Sequence, residues 1–255
     1  MLDVRVQLTI NGRPLVIAMS VPPGRVTLGQ LLPALWQAGE TLIADGIKTV
    51  VAQGKTISCR KGCGHCCRQP VPIAPAEARA LKRLVDAMPA ERRDKIRRRF
   101  AAAIREFEEA GIAEELRMRG FWERGHGREV GLRYLALRID CPFLEDESCT
   151  IYPDRPLACR EYMVTTPADN CQDPSAHTVE TVDIPAGPVW PAIGRLEQDE
   201  DEKLKWVPLI LALEYAAEEP DDPPAQDSRM LLERFMARIA RKRGGDAADP
   251  RPSGT

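Results

Sequence analysis

Four of the chain's eight cysteines fall within nine residues, Cys59-Arg60-Lys61-Gly62-Cys63-Gly64-His65-Cys66-Cys67, and no other feature restricts the fold so tightly. A second group, Cys141, Cys149 and Cys159 with Cys171 trailing, lies far along the chain. A lone cysteine is usually a small buried apolar residue, and any one of Cys141, Cys149 or Cys171 fits that description. Four packed between glycines and charges are not a core pattern. The chain opens Met1-Leu2-Asp3-Val4-Arg5 without a basic region, an apolar stretch and a cleavage site, so no secretory signal is expected and the protein reads as cytoplasmic. Thiols stay reduced there, which favours metal ligation over disulfides. Cys59, Cys63, Cys66, Cys67, Cys141, Cys149, Cys159 and Cys171 are therefore the expected metal ligands.

Short gaps inside each group let sulfurs converge on one ion at low entropic cost, and Gly62 and Gly64 permit tight turns around Cys63. Four thiolates on a divalent ion leave the site about two charges negative. Arg60, Lys61, Arg68, Arg155 and Arg160 stand beside the cysteines, where they are expected to offset that charge. The doublet Cys66-Cys67 is awkward for a single ion, because adjacent residues of an extended backbone point to opposite sides. Either the backbone kinks, or the two serve different metals, or one is a buried thiol. His65 is an optional ligand, whereas His126 and His177 read as surface histidines. All-thiolate ligation suits zinc and iron–sulfur clusters alike, so the expected cofactor is zinc or iron.

The remainder of the chain supplies a scaffold. Apolar residues make up 44 % of it, as in an ordinary globular protein, but aromatics only 5 %, so the core must rest on aliphatic side chains. A net charge of -2 argues against nucleic-acid binding through overall charge, and no apolar run reaches the ~18 residues of a membrane span. Residues 4–21 alternate as a β-hairpin about Asn11-Gly12. Thr27 should cap a helix running to Asp45-Gly46. Further helices are expected over 76–88, after Pro89 through Ile96, Phe100, Ile104 and Phe107, and over 203–217. A last amphipathic helix through Met230, Leu231, Leu232, Phe235, Met236 and Ile239 either packs on its own domain or docks onto a protein partner. The basic run Arg92 to Arg99 reads as a solvated helix face. These features divide the chain into 1–55 (hairpin and helix), 56–172 (cysteine domain), 173–243 (loop and helices) and a disordered tail over 244–255.

The two cysteine segments together resemble the YkgJ-type cysteine-cluster family of zinc- or iron-chelating domains. Its first motif is similar to C-x2-C-x2-C-C, and its second to C-P-F-L…C-x-I-Y…R-P-x-x-C-R. Cys141-Pro142-Phe143-Leu144, Cys149-Thr150-Ile151-Tyr152 and Arg155-Pro156-Leu157-Ala158-Cys159-Arg160 match the second, while the first carries one extra residue between Cys59 and Cys63. Glu77 stands where the family tends to have a helix-starting acid. The resemblance spans residues 56 to 172 and implies chelation. One branch resembles flagellin lysine N-methylases that use S-adenosylmethionine, which raises an enzymatic alternative of methyl transfer or iron–sulfur redox chemistry. Against it, the chain lacks a glycine-rich strand-to-helix loop. Cys59, Cys63 and Cys66 do match the Cys-x3-Cys-x2-Cys spacing of radical enzymes, but no repeated β/α units surround them. The expected fold is α+β and mostly helical, with an N-terminal hairpin and cysteine-rich loops packed between helices around a metal.

Overall fold

Alternating apolar residues produce the first element. In this computed structural model, which describes residues 1–10, 12–118, 126–198 and 204–240, Leu2–Ile10 (β1) and Arg13–Val21 (β2) pair antiparallel. The register runs from Leu2 opposite Val21 to Ile10 opposite Arg13, so the two strands are paired over their full length as the sequence predicts. Asn11 itself lies outside the described residues, as do Lys203 and the 244–255 tail. One face of the hairpin, Ile10, Ile17, Met19 and Val21, is buried.

After a two-residue strand, Arg25–Val26 (β3), Thr27 begins Leu28–Ala52 (α1). Its hydroxyl accepts from Gln30 N at 3.3 Å while the Gln30 side chain accepts from Thr27 N at 2.8 Å, a reciprocal cap. The helix runs past the expected end at Asp45-Gly46. Gly46 lies inside it, at a point where the Asp183 carbonyl would stand 3.0 Å from an added Cβ. A two-residue strand, Pro72–Ile73 (β4), leads into Pro75–Asp86 (α2), with proline in the first turn. Ala90–Glu109 (α3) follows Pro89 and buries Ile96, Phe100, Ala103 and Phe107; Ile104 is only partly buried. Ala113–Arg117 (α4) and His126–Ala136 (α5) come next.

The second cysteine segment contributes a small hairpin, Leu144–Glu145 (β5) with Ser148–Cys149 (β6), and a short helix, Leu157–Glu161 (α6). Trp190–Gly194 (α7) closes the loop before it. The helix expected over 203–217 is largely replaced. Val207–Pro208 (β7) pairs with β4, Leu209–Leu211 form a 3₁₀ turn, and only Ala212–Glu218 (α8) is α-helical. Proline at 208 has no N–H to donate and holds its predecessor extended, which favours a strand there. Gln226–Asp227 (β8) pairs with β3 and leads into Ser228–Ala240 (α9).

The architecture is thus mostly helical α+β, with small paired strands. Two apolar clusters hold it together. The first joins the hairpin, α1, α7 and α9, and takes in Leu231, Leu232, Phe235, Met236 and Ile239 of the last helix, whose apolar face is thereby spent on its own chain. The second joins α3, α4, α5, Phe143, Ile151 and residues 207–215. Helix α2 serves both, sending Ala76 to the first and Ala78, Leu81 and Val85 to the second.

Candidate metal centre

The first cysteine segment is a chain of turns. Gly62 adopts φ 86°, in the left-handed region that glycine tolerates, as Cys63 N bonds Arg60 O at 3.1 Å. Gly64 is buried, and a Cβ there would stand 2.5 Å from Glu147 Oε2 and displace that carboxylate. A 3₁₀ turn over His65–Arg68 then carries Cys66 and Cys67, closed by Cys67 N on Gly64 O at 3.0 Å. The backbone at the cysteine doublet is thus a tight turn rather than an extended strand.

The second segment is joined to it directly. Cys141 N donates to Cys67 O at 2.8 Å. Gln69, buried, sends Nε2 to Cys171 O at 3.2 Å, and Val164 N donates to the Cys59 sulfur at 3.3 Å. Cys171 sits in a second 3₁₀ turn, Ala168–Gln172, packed on the first. The backbone N–H groups of Phe143 and Ile151 face the sulfurs of Cys141 and Cys149, and each lowers the thiol pKa against burial. Such N–H groups, two residues past the cysteine, favour the thiolate form.

Charged side chains lock this geometry. Arg68 binds Asp140 through Nε at 2.7 Å and Glu147 through two nitrogens at 2.6 and 2.9 Å. The sequence pattern suggested Arg68 as an offset for thiolate charge; its guanidinium instead clamps the first segment to the β5–β6 hairpin. That hairpin turns on Asp146 and Glu147 at φ 47° and 55°, a two-residue turn that usually requires Asn-Gly. From the other side α3 grips it. Arg92 donates to Thr150 O at 2.9 Å, and Lys95 and Arg99 pair with Glu145 at 2.9 and 3.4 Å. Much of the basic run of α3 therefore positions Cys149. Arg160 bonds Arg155 O, Pro153 O and Glu40, and Arg155 lies 3.6 Å over the Tyr152 ring while its charge favours the Cys59, Cys149 and Cys159 thiolates. Arg60 and Lys61 are exposed.

All eight cysteines are free thiols, seven half-buried and Cys171 buried. Burial and mutual repulsion push six of them up. Cys141 and Cys171 are each pushed to about 12, first by burial and then by neighbouring thiolates. Cys59, Cys149 and Cys159 rise for the same leading reason, and Cys67 rises through its hydrogen bond with Cys66, burial and the fields of Cys66, Cys141 and Cys159. Every one of the eight cysteines thus acts on another. A cation inverts this balance, because it stabilises the thiolates that otherwise repel. The donor set accordingly fits a thiophilic metal. As they stand, however, no three or more His, Cys, Asp or Glu side chains among the described residues are arranged to hold an ion.

His65 turns its ring to Asp169, with Nε2 3.1 Å from Oδ1, and His177 is exposed. The His126 side chain lies outside the described residues. Glu77 is fully buried and accepts from Trp36, Ala74 and Leu157, so it joins α1, α2 and α6. Sequence reasoning missed Asp140, Glu147 and Gln69. The acidic Glu145-Asp146-Glu147 stretch between Phe143 and Cys149 was the visible trace of the turn. Two cavities, of about 480 and 110 Å³, lie between β2 and α1 and beside α8, and neither is lined by a cysteine. No helix among the described residues is long and apolar enough to cross a membrane.

Comparison with curated proteins and with solved structures finds no match. Comparison with family models finds one over residues 58–181, the CxxCxxCC family, described as a "putative zinc- or iron-chelating domain". The matched segment contains all eight cysteines, the Arg68–Glu147 clamp and the Cys67–Cys141 junction. Residues 58–181, just under half of the chain, thus match the CxxCxxCC family.

Proposed function

We propose that the protein binds zinc or iron, alone or within an iron–sulfur cluster, through the thiolates of Cys59, Cys63, Cys66, Cys67, Cys141, Cys149, Cys159 and Cys171. The observation that carries this reading is the junction of two distant cysteine segments by Cys141 N on Cys67 O, which joins the two stretches of chain that carry the eight free thiols. Thiolates are soft donors, and both metals of the family description accept them. A bound metal would supply the positive charge that the gathered thiolates lack. The surrounding hydrogen bonds and ion pairs would orient the sulfurs around it, as outer partners do in metal sites generally.

Metal analysis and an absorption spectrum of anaerobically prepared protein test the reading. Zinc without visible colour, or iron and sulfide with a broad violet band, is the expected outcome. Metal at background with eight free thiols and an intact fold would sink it. Cys63→Ser and Cys159→Ser should each lower metal content, and full retention in either removes that residue from the ligand set.

A further inference from the structure

We infer that the eight cysteines form two adjoining four-sulfur centres, one of Cys59, Cys63, Cys66 and Cys171 and the other of Cys67, Cys141, Cys149 and Cys159, with the boundary between Cys66 and Cys67. The inference rests on the proposal that these thiols hold metal. It answers what the doublet is for.

The geometry begins with the 3₁₀ turn His65–Arg68. With about three residues per turn, successive side chains leave the axis roughly 120° apart, so Cys66 and Cys67 leave the turn in different directions, although their sulfurs stay within hydrogen-bonding reach. On one side, Cys67 O holds Cys141 N at 2.8 Å, and the β5–β6 pairing sets Cys149 opposite Leu144. Cys141, Cys149 and Cys159 all pack against the second apolar cluster, which none of the other five cysteines joins. On the other side, the 3₁₀ turn bearing Cys171 packs on the turn that bears both Cys66 and Cys67, and Gln69 holds Cys171 O. Cys59 reaches the same region through Val164 N on its sulfur and through Ser58 N on Val164 O at 2.9 Å.

Cys66 apart, the electrostatic neighbours divide the same way. The thiolates acting most strongly on Cys171 are Cys59, Cys66 and Cys63. Those acting on Cys67, beyond Cys66, are Cys141 and Cys159, and those acting on Cys159 include Cys141 and Cys149. Cys66 also acts on Cys141, Cys149 and Cys159, and it hydrogen-bonds Cys67, as a residue at the boundary of two adjoining centres must. Four sulfurs per side is the number that closes a tetrahedral site.

The test titrates the reduced, metal-free full chain with Cd²⁺ under anaerobic conditions and counts ions by native mass spectrometry. Two per chain are expected. Cys67→Ala/Cys149→Ala, which damages one centre, should keep one ion. Cys67→Ala/Cys171→Ala, which damages both, should keep none. Equal retention by the two double variants, or a single ion in the unaltered chain, overturns the division. Should the variants fail to fold, alkylation of the unaltered chain at one equivalent of Cd²⁺ decides. Protection of one named set of four supports two centres, whereas protection of all eight together, or of a mixed set, overturns them. A chain that binds no Cd²⁺, with all eight thiols alkylated, instead sinks the chelation proposal beneath it.

Discussion

Glu77 shows how much one side chain can organise around a site it does not touch. Its Oε1 accepts from Trp36 Nε1 at 3.0 Å and Leu157 N at 2.7 Å, and its Oε2 accepts from Ala74 N at 3.0 Å. Burial raises its pKa above the ordinary 4.5, against the pull of these three donors and of Arg160. Glu77→Ala would leave two buried N–H groups and the partly buried Trp36 N–H without an acceptor, and an unsatisfied buried donor costs about 1–3 kcal/mol. We expect a loss of roughly 3–5 kcal/mol, read as a lower urea midpoint at unchanged slope. The pH dependence has a definite sign. Between the unfolded value near 4.5 and the raised folded value, the folded chain keeps a proton that the unfolded chain has released. Stability from this group therefore falls as pH rises through that window and is level outside it. Glu77→Gln cannot titrate, so the stability of the parent relative to Glu77→Gln, both measured in chelator, should decline with rising pH. A flat difference would refute the role of burial.

Among elements, the contact of α1 with α6 positions a candidate ligand. Gly39 lets the fully buried Leu157 approach α1, where an added Cβ would stand 2.5 Å from Leu157 Cδ1. Leu157 opens α6, and Cys159 follows two residues later. Gly39→Ala should push α6 aside at a cost of about 1–3 kcal/mol and weaken metal retention against a competing chelator. In a Leu157→Ala background the added methyl group has room, so the same substitution should cost markedly less, and equal costs in the two backgrounds would rule out the steric coupling. Elements of this kind differ in how far the sequence betrays them. The β1–β2 hairpin, the start of α1 at Thr27 and the buried face of α3 follow from local periodicity and capping, and all were legible. The strand at Val207–Pro208 was hidden, because its partner is Pro72–Ile73, far away in sequence. The cysteine spacing marked out a candidate shared site. What holds that site in register, Cys141 N on Cys67 O and Arg68 on Glu147, depends on tertiary pairing that spacing does not encode.

Across the whole molecule, the two apolar clusters depend unequally on the cysteines. The first, of hairpin, α1, α7 and α9, contains no cysteine, although Leu157 and Ala158 reach it from α6. The second is flanked by Cys141, Cys149 and Cys159, and the loops that carry the cysteines have little regular structure to hold them. A metal that binds only the folded state stabilises it by mass action, about 4 kcal/mol at a free concentration a thousandfold above Kd. For a chain of this size that corresponds to a thermal shift on the order of 10 °C. Removing metal should therefore lower the melting midpoint by about that amount, with an uneven loss of order. Amide exchange is expected to accelerate first over 56–72 and 139–172, while β2, α1 and α9 keep their protection, because their burial is supplied by Ile17, Leu35, Leu42 and Phe235 rather than by the metal. Exchange that accelerates equally in both clusters would mean that the molecule opens as one cooperative unit. In that case the metal would stabilise the entire fold, and α2, which packs into both clusters, would be the element that transmits its effect.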